Sequence, residues 1–176
     1  MKIKYLYFLL AIALISCKKE ACPADWKIAE SEYFKVCHPA DWEVNDGSVY
    51  AAELVLFDNS NLDSSGFGGN INFIKEHESF FQDIESLSDF ATFSRDQMYN
   101  YVQDAKMQSF NKITIGNTDA YKAVFTAHQN NRDFFFVQYY FKHNQYFYVS
   151  TFTTRIDDTP ENKKIGQDIV ESLELK

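Results

Sequence analysis

Arg132-Asp133-Phe134-Phe135-Phe136-Val137-Gln138-Tyr139-Tyr140-Phe141-Lys142, followed after His143-Asn144-Gln145 by Tyr146-Phe147-Tyr148-Val149-Ser150-Thr151-Phe152-Thr153, is the stretch that decides the fold. Aromatic and β-branched residues fill both runs, and a short polar turn separates them, so they read as two strands of a hairpin. Both runs are apolar on both faces, which requires cover on each side and therefore three layers. Working upstream, Thr118–His128 alternates, with Tyr121, Ala123, Phe125 and Ala127 on one face, and Asn130-Asn131 marks a hairpin turn. Ser109–Ile115 is a further strand, ending in Gly116-Asn117. Before it, Phe90, Phe93, Gln97, Met98, Tyr101, Val102 and Ala105 recur at helical spacing after Ser88-Asp89. This predicts a helix from Asp89 to about Met107 with Ser88 as N-cap. Downstream, Thr159-Pro160 opens a second helix with the stripe Ile165, Ile169, Val170 and Leu173.

The N-terminal half supplies more strands. Tyr33–Cys37 runs into Pro39, Trp42–Val44 follows, and Asn45-Asp46-Gly47 is a turn signal. Val49–Phe57 reads as a strand and Asp58–Gly69 as a polar loop. Asn70–Lys75 is a strand, with Ile71, Phe73 and Lys75 opposite Asn70, Asn72 and Ile74, and Glu76–Leu87 is irregular. Pro-Ala-Asp-Trp occurs twice, at Pro23–Trp26 and Pro39–Trp42, as two turns leading into strands. Roughly seven strands joined mainly by short hairpins imply an α+β chain with an antiparallel sheet, one helix interrupting it and one closing it.

The order of these segments resembles the PsbP-like fold, shared by an extrinsic subunit of the plant oxygen-evolving complex, a Ran-binding nuclear transport protein and many bacterial lipoproteins. The carrying segments are Tyr33-Phe34-Lys35-Val36 with Pro39 and Trp42-Glu43-Val44; Asn70-Ile71-Asn72-Phe73-Ile74; Ser86-Leu87-Ser88-Asp89-Phe90; Ile115-Gly116-Asn117-Thr118-Asp119-Ala120-Tyr121; the aromatic hairpin; and Ile169-Val170-Glu171-Ser172-Leu173. The resemblance covers Tyr33 to Lys176. It implies an antiparallel sheet of about six or seven strands sandwiched by helices, and a role in binding proteins or assisting assembly. No photosystem or Ran contact residue maps onto this chain, and fold alone does not carry function.

The first residues give an address. Met1-Lys2-Ile3-Lys4 is basic, Tyr5–Ile15 is uncharged and apolar, and Ser16 is small. That is a secretory signal, too short to span a bilayer as a helix. Leu14-Ile15-Ser16-Cys17 resembles the lipobox of bacterial lipoproteins, which implies cleavage before Cys17 and acylation of that residue. More than one acyl chain anchors stably. The expected division is a signal peptide at 1–16, a lipid-anchored tether at 17–32 and a globular domain at 33–176. Lys18 is not the Asp of inner-membrane retention, so the expected location is the outer membrane, facing either the periplasm or the exterior.

Charge and chemistry narrow the function classes. The 176 residues carry a net charge of −8, so phosphate backbones repel the chain and no nucleic-acid partner is expected. An aromatic share of 17% excludes a disordered chain. With Cys17 acylated, Cys22 and Cys37 remain, and in an oxidising envelope they are expected to form one disulfide. No GxSxG, GxGxxG or GK[ST] occurs. His77-Glu78 lacks a second His at 81, and Asp58, Ser60 and Asp63 lack the Gly and Glu that a calcium loop needs at its sixth and twelfth positions. His38, His77, His128 and His143 are scattered. The chain is therefore expected to be no enzyme, to have no catalytic, metal or cofactor residues, and to need no cofactor. Its expected role is protein binding or assembly at the membrane. The alternatives are a lipid- or sugar-binding lipoprotein and a metal-dependent enzyme. The run Phe134–Phe141 is read as sheet core before ligand site.

Overall fold

A computed structural model describes residues 22–176. The main sheet has seven strands, all antiparallel to their neighbours: β3 (Trp42–Asn45), β4 (Leu54–Asp58), β5 (Asn70–His77), β6 (Gln103–Ile115), β7 (Thr118–Gln129), β8 (Arg132–His143) and β9 (Tyr146–Arg155). Their spatial order is β3-β4-β5-β9-β8-β7-β6, which places the aromatic hairpin β8–β9 in the interior of the sheet. A smaller sheet has the order β1 (Trp26–Glu30), β2 (Phe34–Pro39) and β10 (Glu174–Leu175). Helix α1 (Leu87–Tyr101) packs against β8, β7 and β6, and α2 (Pro160–Glu171) against β2 and β9.

Strand alternation divides the hairpin between two cores. Val137, Tyr139, Phe141, Tyr148 and Phe152 join Phe34 and Val36 of β2 and Ile169 and Val170 of α2. Phe134, Phe136, Tyr140 and Phe147 join Phe90 and Ala91 of α1 and Ala123, Phe125 and Ala127 of β7. The expected antiparallel sheet with a helix on each face is therefore the observed one. The small sheet shares the α2 face. β1 lies within residues 17–32, read from sequence as tether, and pairs along its length with β2, so ordered structure begins ahead of Tyr33.

Three element boundaries differ from their sequence readings. Helix α1 begins two residues early, because Ser86 and not Ser88 is its N-cap. The Ser86 hydroxyl accepts from the Asp89 amide at 3.1 Å and the Asp89 carboxylate accepts from the Ser86 amide at 3.1 Å, a reciprocal capping box. The helix stops at Tyr101 instead of Met107, since Val102 turns extended and the following residues pair with β7 through two register shifts. Helical periodicity thus yields to sheet pairing over Gln103–Met107. The strand expected from Val49 begins at Leu54. Gly47 and Ala51 take φ of 76° and 51° around a single 3-10 turn at Ser48–Tyr50, which breaks the extended run. A Cβ at Gly47 would overlap the Ala52 carbonyl, so glycine is needed there.

Candidate ligand-binding cleft

Because α1 lies mainly over β8, β7 and β6, it covers the same face of the sheet less fully toward β9 and β5. A cleft of about 420 Å³ opens there between α1 and the sheet. Its floor is a row of residues in direct register: Asn72 of β5 opposite Thr151 of β9, and Thr151 opposite Gln138 of β8. Thr153, Ile74 and Val149 extend the floor, while Phe81, Phe90, Phe93 and Met98 form the wall on the α1 side.

The floor is polar and largely hydrogen-bonded to itself. The Tyr140 hydroxyl donates to Gln138 Oε1 at 2.6 Å, and Gln138 Nε2 donates to Thr151 Oγ1 at 3.0 Å. Burial pushes the Tyr140 phenol well above its ordinary range, so it stays a neutral donor. Gln138 and Thr151 are only 5% and 6% exposed. Asn72 Oδ1, next in the row, is buried and accepts no hydrogen bond. Among the residues lining the cleft, Glu76 is the one charged side chain.

Aromatic residues also crowd the rim. Phe81 makes edge contacts with Phe90, Phe93 and Phe147, and Phe90 stacks on Phe147 at 4.2 Å. Phe93, placed by periodicity on the buried face of the helix, is 43% exposed, and Phe80 on the adjoining turn is 74% exposed. Large apolar side chains grouped on a surface are the kind of feature that marks an interaction site.

The residues singled out from sequence fall elsewhere. Cys17 lies outside the described residues. Cys22 and Cys37 are joined in a disulfide, which ties the segment ahead of β1 to β2. The four histidines occupy four separate places. His38 Nδ1 lies 2.8 Å from the Pro39 carbonyl, His77 caps the turn at Ser79, His128 pairs with Asp133 at 2.9 Å, and His143 approaches the Lys176 carbonyl. Among the described residues, no three His, Cys, Asp or Glu side chains gather as a metal site. Asp58 accepts from the amide and hydroxyl of Ser60. Asp63 accepts from Ser65, from the Phe67 amide and from Arg132, and chiefly the Ser65 hydroxyl holds its carboxyl down at about 2. These acids brace their own loop.

Little in the sequence marks the cleft residues. One signal was available: Gln138 is the single amide in the apolar run Phe134–Phe141, and a buried amide demands partners. Asn72 alternates normally with the core residues and carries no such signal.

No protein-family model matches the chain, and no curated protein matches it at a significant level. Solved structures do. LpqN of Mycobacterium tuberculosis, described as involved in cell envelope biogenesis, superposes with a TM-score of 0.65 at 14% identity, over 86% of this chain and 90% of that one. The cyanobacterial PsbP of Synechocystis sp. PCC 6803 gives 0.58 at 11% identity, over 87% and 94%. The fold is PsbP-like. A Pseudomonas aeruginosa protein of unknown function, PA94, gives 0.57 at 11% identity over 84% and 94%. At such identities the likeness concerns the fold and assigns no residue a role.

Proposed function

We propose that this PsbP-like domain is a non-catalytic protein of the bacterial envelope, held at the outer membrane by acylated Cys17, that binds a protein partner through the face around α1 in an assembly role. The observation that carries the reading is the exposed aromatic rim, Phe80 at 74% and Phe93 at 43%, beside an open cleft. A domain of this size has no need to leave such side chains in water for stability, and aromatic residues are enriched where proteins meet. The lipobox at Leu14–Cys17 supports the anchor. The envelope-biogenesis description of LpqN, which has the same fold, supports the setting.

The test places a photo-crosslinking side chain at Phe80 in the full chain and irradiates intact envelopes. A discrete adduct to another protein is expected, absent when the probe replaces Asn117 at the β6–β7 turn. No adduct at Phe80, or the same adducts from both positions, overturns the reading.

A further inference from the structure

We infer that the α1 cleft binds an uncharged, hydroxyl-bearing small molecule of the sugar class. This goes beyond the protein-binding role of the rim, and either can fail without the other.

The argument begins with the order of donors and acceptors on the floor. Tyr140 donates to Gln138, and Gln138 donates to Thr151. A hydroxyl accepting one hydrogen bond still has its own proton to give. Directly across from Thr151 stands Asn72, whose Oδ1 is buried and unpartnered. Side chains directly opposite on antiparallel strands have Cβ atoms about 5 Å apart, close enough for one group lying over the pair to reach both. A group that accepts from Thr151 and donates to Asn72, with the Asn72 amide turned so that its oxygen faces the cleft, completes the row. A hydroxyl does both; a carboxylate or phosphate oxygen cannot donate, and an ammonium cannot accept.

The surroundings select the same class. An anion would meet Glu76 and no Lys or Arg in the lining. An alkyl chain laid on the floor would offer the Thr151 proton and the Asn72 oxygen no partner. A sugar ring carries hydroxyls on its edge and C–H groups on its faces. Its edge suits Thr151 and Asn72, and its faces suit the rings of Phe81 and Phe93 on the wall. The volume of about 420 Å³ is within the range of small-ligand sites.

The test uses the full chain purified from membranes in a detergent without a sugar headgroup. Maltose, cellobiose and N,N′-diacetylchitobiose are titrated by calorimetry and saturation-transfer NMR, with laurate as the apolar comparison. At least one sugar should bind saturably and laurate should not. Thr151→Val and Phe93→Ala should each weaken that binding about tenfold, the worth of one good contact. Asn72→Val separates a binding role from a structural one. Removing a buried orphan acceptor from a strand should raise the melting temperature while sugar binding is lost. Should Thr151→Val fail to fold, Phe93→Ala and Asn72→Val carry the test, since one lies on the exposed lip and the other removes an unsatisfied group. Failure of all three sugars to bind overturns the inference. So does binding of laurate instead, or sugar binding unchanged in Asn72→Val and Phe93→Ala. The crosslinking outcome at Phe80 stands apart from each of these.

Discussion

Gly166, in the middle of α2, lies directly against the ring of Phe152 on β9, so close that a Cβ at position 166 would overlap the ring. Phe152 is itself fully buried in a cluster with residues of β8, β2 and α2, so its ring could shift only by displacing core neighbours. Gly166→Ala therefore sets two effects against each other. Helix propensity favours Ala by about 1 kcal/mol, and overpacking a filled core costs roughly 1–3 kcal/mol. Overpacking should win, and chemical denaturation should show a net loss of stability. A more stable Gly166→Ala variant would mean that α2 slides over the sheet without resistance.

Phe125 tests the other core. Its ring stacks on Phe136 at 5.0 Å, is 1% exposed and faces α1 across Ala123 and Ala127. Phe125→Ala should cost roughly 3–5 kcal/mol by transfer and cavity terms. The opposite face of β7 is less open than its alternation suggests. Lys122 reaches Glu171 of α2 at 2.8 Å and lies over the Tyr139 ring. Lys122→Ala should cost no more than about 1 kcal/mol, as partly exposed ion pairs do. Urea denaturation of the two variants measures the contrast.

The disulfide between Cys22 and Cys37, 15 residues apart, closes the segment ahead of β1 onto β2. In the chain-entropy model a loop of this length is worth about 3 kcal/mol. Cys22→Ser should lower the denaturation midpoint accordingly and leave the circular dichroism spectrum native, because Cys22 belongs to neither core cluster. Peptide mapping without reductant should recover the pair linked. Loss of all folded signal in Cys22→Ser would show that the bridge, and not the cores, holds the domain.

Asp158 makes stability depend on acid. Burial alone would push its carboxyl up. Hydrogen bonds from Thr154, Asn162, the Thr159 amide and Asn61 outweigh burial and hold it below the usual carboxylate value. A carboxyl lowered on folding stabilises the protein at pH above its unfolded value, about 3.9. That contribution fades as pH falls through the folded value. Denaturation midpoints between pH 6 and pH 2 should therefore fall less steeply for Asp158→Ala than for the parent chain. Identical slopes would remove Asp158 from the account.

Cys17→Ser should abolish acylation and release the protein from membranes. The lipobox motivates this, and no helix among the described residues is long and apolar enough to cross a bilayer. Fractionation and mass spectrometry of the N-terminal peptide are the measurements. Membrane retention of an unacylated Cys17→Ser chain would defeat the anchor.

The sequence by itself determined most of the strands, the hairpins that join β6 to β9 and the need for three layers. Alternation is a local property, and two adjacent runs apolar on both faces, Phe134–Phe141 and Tyr146–Phe152, admit no other burial. The caps Thr159 and Pro160 were legible for the same reason: they act within one turn. What the tertiary structure decided is non-local. Helix α1 ends at Tyr101 because β7 offers backbone partners to the residues that follow, and periodicity cannot see a strand that comes later in the chain. The cleft exists because α1 lies mainly over β8, β7 and β6 and covers the floor at β9 and β5 less fully. Asn72, Thr151 and Gln138 stand far apart in sequence. Only the pairing of β5 with β9 and β9 with β8 brings them into one row, since register, unlike alternation, is set between strands.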